Sequence, residues 1–191
     1  MMRRMLVLAV LAPALALAWN PTEDAKPVSP GKGGFSVQFP LGWLCDTSSS
    51  SVVASHDGVM LNSITVSLTP HKNAFKAAKK PSSPTAAPED LAESYVANLQ
   101  APGSTLRELV TLATEPAELA GRPAFRVHLK YRIPESQGGA EIEEVTVGTP
   151  LESGLMLATY RAPALHYFPR WLTEFEAAVK TIALVAPPKP H

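Results

Sequence analysis

The stretch "FRVHLKYRI", residues 125–133, decides the architecture. Phe125, Val127, Leu129, Tyr131 and Ile133 alternate with Arg126, His128, Lys130 and Arg132. A period of two puts the apolar set on one face of a strand and the charged set on the other. One face must therefore be covered and the other solvated or paired. "LAGRP" at 119–123 reads as a turn before this strand, and Gln137-Gly138-Gly139 as a hairpin loop after it. Residues 142–147 return as a strand, 150–154 turn again, and 155–161 form another. Residues 106–114 are strand-like, with a less regular alternation. Four consecutive antiparallel strands follow from this spacing.

Two helices flank that run. Pro88 opens the first, with Glu89 and Asp90 suited to the positive end of a helix. Leu91, Tyr95 and Leu99, with Ala92 and Val96, make its apolar stripe, and Pro102-Gly103 ends it. In the second, Phe168, Trp171, Leu172, Phe175, Val179 and Ile182 recur at three and four residues. The expected packing lays the apolar face of 125–133 on this aromatic stripe. Upstream, "FSVQFPLGW" at 35–43 alternates Phe35, Val37 and Phe39 before Pro40 stops the ladder. Gly42 then permits a sharp turn and Trp43 seals the edge of the core. A short strand near Val52, a turn at Asp57-Gly58 and a strand ending at Thr69 complete the first half. Helical crossovers alternating with each strand are absent, which argues against a doubly wound fold. The fold class is α+β, an antiparallel sheet packed against helices.

The ends read differently. Arg3 and Arg4 precede an apolar run broken by Pro13, and Ala16-Leu17-Ala18 offers small residues for cleavage before Trp19. Residues 1–18 are expected to be a signal peptide, which places the mature protein in the periplasm or outside the cell. The run is too short and broken for a good membrane span, and no second apolar segment is long enough for one. Residues 19–34, with "GKGG", read as a flexible lead-in, 35–185 as one domain with an exposed loop at 71–88, and 186–191 as a disordered tail. Removing Arg3 and Arg4 leaves 15 basic against 17 acidic residues, a net charge of −2. That balance gives no footing for general nucleic-acid binding. A single cysteine, Cys45, excludes an internal disulfide framework and is read as a buried structural thiol.

No constellation carries chemistry. His56, His71, His128, His166 and His191 show no close metal-ligand spacing, so no metal and no cofactor is expected. "GKGG" lacks the strand and motif of a phosphate loop. Glu141, Glu143 and Glu144 lie across a hairpin from Arg126, His128, Lys130 and Arg132. Cross-strand pairs of opposite charge would set register, each worth about 0.2–1 kcal/mol. The same row of cations could instead meet a partner. Lys72, Lys76, Lys79 and Lys80 form the one local basic patch, suited to an acidic partner or to lipid headgroups.

Four stretches resemble one fold family. "FSVQFPLGW" resembles the opening of proteins built like the photosystem PsbP subunit, and "PEDLAESYVANL" their first main helix. "LAGRPAFRVHLKY" resembles their turn and strand, and "LMLATYRAPALHYFPRWLTEFEAAVKTI" their closing strand and helix. The resemblance spans about residues 35–184. It implies a curved antiparallel sheet sandwiched between helices, a PsbP-like α/β/α sandwich. It also implies a largely non-enzymatic family whose members bind or stabilise proteins. These include oxygen-evolving-complex subunits, a Ran-binding nuclear-transport regulator, exported bacterial lipoproteins and effector chaperones. This chain lacks the lipidated cysteine of the lipoproteins and, unlike the effector chaperones, is expected to carry a leader. The expectation is an exported, non-enzymatic binding or assembly module with a protein partner in the cell envelope. The alternatives are a carrier of a small apolar ligand held under Trp171 and Phe175, and an enzyme with a site near Cys45 and His56.

Overall fold

The computed structural model describes residues 19–22 and 26–185. The expected leader at 1–18 and tail at 186–191 lie outside them. The strands are β1 (Asn20–Pro21), β2 (Gly34–Ser36), β3 (Leu44–Thr47), β4 (Ser51–Ser55) and β5 (Ser63–Thr69). Helix α1 (Pro88–Leu99) follows, then β6 (Arg107–Leu119), β7 (Arg122–Arg132), β8 (Glu141–Leu151) and β9 (Gly154–Pro163). Helix α2 (Tyr167–Lys180) and β10 (Ala183–Val185) are the last elements of the described residues. Eight strands form one sheet in the order β1-β3-β4-β5-β9-β8-β7-β6, with every neighbouring pair antiparallel. The four-strand meander expected from 106–161 is β6 to β9. The β6–β7 turn places Ala120 and Gly121 at φ 51° and 72°, the paired left-handed geometry of a tight hairpin. Pro116 is tolerated in β6 because that strand is the sheet's edge.

Helix α1 covers one face of the sheet and α2 the other, so the molecule is an α+β sandwich. The expected pairing of helix and strand is corrected here. Phe125, Val127, Leu129 and Tyr131 are buried against α1, with Leu91, Ala92 and Tyr95, and not against α2. The stripe of α2 instead packs on Val145 and Val147 of β8 and Met156, Ala158 and Tyr160 of β9. The reason lies in the centre of the sheet. Strands β8 and β9 are covered on both faces and carry apolar residues on the α2 side, whereas that side of β7 carries its charged set. Each stripe packs on a face of the sheet, so the layering stands although the partners were exchanged.

The opening stretch behaves as expected of a closing corner. Phe35 and Val37 are fully buried, and Phe39 and Trp43 are nearly so. Gly42 has φ 84°, and the Trp43 N–H donates to the Pro40 carbonyl at 3.4 Å. Strand β2, however, pairs with β10 in a separate two-stranded ribbon. Strand β3, unforeseen, joins the main sheet in its place. The stretch ahead of β2, read as a lead-in, is stitched to the fold. Val28 pairs with Val37, and the N–H groups of Gly31 and Lys32 donate to the carbonyls of Ser48 and Ser49 at 2.8 and 3.0 Å.

Candidate functional site

The eight cations singled out in the sequence fall into two groups. In β7 they line the α2 side of the sheet, and each meets an acceptor. The His128 Nε2 and a Glu143 carboxylate oxygen of β8 are 2.9 Å apart, and the imidazole stacks on Phe168 of α2 with centroids 5.2 Å apart. Lys130 pairs with Glu141 at 2.7 Å. Arg126 reaches Glu115 of β6 and Glu176 of α2, both at 3.4 Å. Arg132 lies 3.7 Å from Glu108 and donates to the Gly139 carbonyl. The row is internally neutralised, and Arg126 and His128 both touch α2.

The lysine loop is built otherwise. Its prolines prevent a helix, and a single 3-10 turn at His71–Asn73 starts it. Phe75 is buried beside Tyr95 of α1, at a backbone φ of 50°. The Asn98 side-chain oxygen of α1 accepts from the N–H groups of Ala77 and Ala78 at 2.9 and 3.2 Å. One ring nitrogen of His71 bonds the Ser82 hydroxyl and the other donates to the Leu151 carbonyl. Between these anchors Lys72, Lys76, Lys79 and Lys80 are all exposed. Among the described residues, none of the four has a carboxylate within ion-pair distance. An irregular loop is thus held in place by one aromatic ring, one asparagine and one histidine, and it displays four uncompensated charges.

Glu144 departs from the cross-strand charge ladder. It stands opposite Leu129, on the α1 face, and is buried there. Its carboxylate accepts from the hydroxyls of Tyr95 at 2.6 Å and Tyr131 at 2.7 Å. Burial, with the Glu144 charge, holds both tyrosine hydroxyls well above the ordinary phenol range. Two adjacent strand residues must point to opposite faces, so Glu143-Glu144 already contained this signal.

The thiol of Cys45 is buried on β3 in the α2-side core. Burial, then the neighbouring Asp46 charge, pushes its pKa up, the opposite of an activated nucleophile. His56 is engaged elsewhere. Its ring packs 4.2 Å from Trp171, and its Nδ1 lies 2.9 Å from Asp57. Asp57 also accepts from Trp171 Nε1 and Asn62 Nδ2, each at 2.7 Å. Burial raises the Asp57 pKa, but the hydrogen bonds from His56 and Trp171 outweigh it, leaving the carboxyl below its ordinary value. The space under Trp171 and Phe175 is filled by Trp43 and Tyr160, at centroid separations of 5.7 Å in each case. Among the described residues no three His, Cys, Asp or Glu side chains cluster closely enough to hold a metal ion. No helix among them is long and apolar enough to cross a membrane.

This arrangement, a meander extended through β5 with one helix on each face, is shared with solved proteins. Cyanobacterial PsbP (CyanoP) from Synechocystis sp. PCC 6803 is 11% identical, aligned over 93% of this chain and 99% of its own, with a TM-score of 0.55. The Ran-binding protein Mog1p of Saccharomyces cerevisiae is 10% identical, over 88% and 97% of the two chains, with a TM-score of 0.55. The chain has the PsbP and Mog1 fold. No family model matches its sequence, and no curated protein matches it. The PsbP-like fold positions the lysine loop between β5 and α1 and the paired cations beneath α2.

Proposed function

We propose that this chain is an exported, non-enzymatic binding or assembly module whose docking face is the 71–80 loop and whose partner is an acidic protein surface in the cell envelope. Export rests on the basic, apolar and small-residue pattern of residues 1–18. The observation that carries the reading is the set of four exposed lysines without internal carboxylate partners, on a loop fixed by Phe75, Asn98 and His71. Fixing the loop before contact reduces the ordering cost that binding must overcome. The clustered charge raises the encounter rate with an acidic surface and makes binding salt-dependent. The cations of β7 serve the fold instead, by setting the β7–β8 register and holding α2.

The test is capture from envelope extract with three proteins, the wild type, a variant with all four loop lysines changed to Gln, and an Arg126→Gln/Lys130→Gln variant. A stoichiometric protein retained by the first and third, lost from the second, and released by salt supports the reading. Equal retention by all three, or loss from the β7 variant alone, overturns it.

A further inference from the structure

The "GKGG" stretch, residues 31–34, is fixed in place. Its backbone bonds to Ser48 and Ser49 set it against the β3–β4 hairpin tip. Two chain reversals and the end of β10 meet it at this end of the sheet, the reversals being the β6–β7 turn into Arg122 and the β8–β9 turn at Glu152-Ser153. They line an open hollow of about 530 Å³. That size lies within the range of about 300–1,000 Å³ typical of small-molecule sites.

The lining is divided by chemistry. Leu68, Leu151 and Leu184 supply apolar wall. Leu151 is fixed by the bond from His71 to its carbonyl, and Gly34 lies so close to Leu68 that a Cβ there would come within 3.0 Å of it. Lys32 and Arg122 stand at the lip, both exposed. Among the described residues neither has a carboxylate within ion-pair distance. Glu152 also lines the cavity and pairs with neither, which leaves a net charge of +1 around it. Two cations without an ion-pair partner and a net charge of +1 beside an apolar hollow match one class of occupant, in which an anionic head meets the lip and a hydrocarbon body removes the leucines from water.

We propose that this cavity binds a small single-chain amphiphile with an anionic carboxylate or phosphate head, held by Lys32 and Arg122. Lys32 and Arg122 are distinct from the four loop lysines, so either proposal can fail alone.

The test is calorimetric titration of the full chain with decanoate, decyl phosphate and decyltrimethylammonium. The two anions are expected to bind at one site, with the cation weaker by about tenfold or more. The tighter of the two anions identifies the head as carboxylate or phosphate. The Lys32→Glu/Arg122→Glu variant is expected to lose about tenfold in anion affinity with an unchanged melting temperature, since both side chains are exposed. A Leu184→Asp variant should weaken both anions through the wall rather than the lip. Binding of the cation as tightly as the anions, or no effect of the charge reversal, overturns the proposal. Failure of all three probes to bind also overturns it.

Discussion

Two basic regions of similar charge have opposite surroundings. In β7, Arg126, His128, Lys130 and Arg132 each face a glutamate, and two of them touch α2. In the 71–80 loop, four lysines face water, and the structure beneath them is apolar or amide. A charged side chain is therefore no guide to a binding face until its neighbours are known. Where a strand carries cations, the adjacent strand can supply anions at each register position. A loop outside the sheet has no such neighbour, and its charge remains available to another molecule.

The largest expected effect attacks the anchor of the loop. Phe75→Ala should destabilise the protein by about 3–5 kcal/mol, the usual range for deleting a buried phenylalanine. Denaturant titration would read this, and partner affinity should fall with it as the lysines lose their fixed spacing. Changing the four loop lysines to Gln should do the reverse. Partner affinity should drop by about tenfold to a hundredfold, or about 1.4–2.8 kcal/mol, with the unfolding midpoint unchanged.

On the other side of the comparison, His128→Ala should cost about 1–2 kcal/mol, through the lost Glu143 bond and the lost stack on Phe168. It should leave partner affinity at the wild-type level. A variant that moved affinity without moving stability here would break the contrast between the two regions.

The last prediction concerns a second hold on α2, in which Asp57 accepts from Trp171. Its folded pKa is depressed, so its contribution is present above the unfolded carboxylate value and is lost as pH falls through the folded one. Comparing wild type with Asp57→Asn by thermal melting should show a gap at neutral pH that narrows below a pH of about 4. A gap that is constant with pH would show that the ionised carboxylate contributes nothing beyond an amide.

The sequence allowed both helices, the β6–β9 meander and the sealing corner at Trp43 to be read, because each rests on local periodicity or on Pro and Gly chemistry. It misled on which helix covers β7. The alternation of β7 requires a cover but does not name it, and the two apolar stripes of α1 and α2 are each adequate. The choice depends on β8 and β9, whose second apolar faces become evident only when they lie at the sheet's centre. The pairing of β2 with β10 was illegible for a similar reason, since it joins segments from the two ends of the domain. In the candidate site, the charge ladder of Glu141 and Glu143 was legible from hairpin register, while Glu144 required attention to strand parity. The lysines were visible as a patch. Their lack of partners and the anchoring by Phe75, Asn98 and His71 depend on contacts with α1 and β8 that no local pattern encodes.

The central claim is that the loop lysines, and not the β7 cations, meet the partner. Lysine acetylation footprinting of the protein alone and in its captured complex tests this most directly. The account predicts that Lys72, Lys76, Lys79 and Lys80 become protected in the complex while Lys130 reacts equally in both. Protection of Lys130 with the four loop lysines still reactive would contradict it.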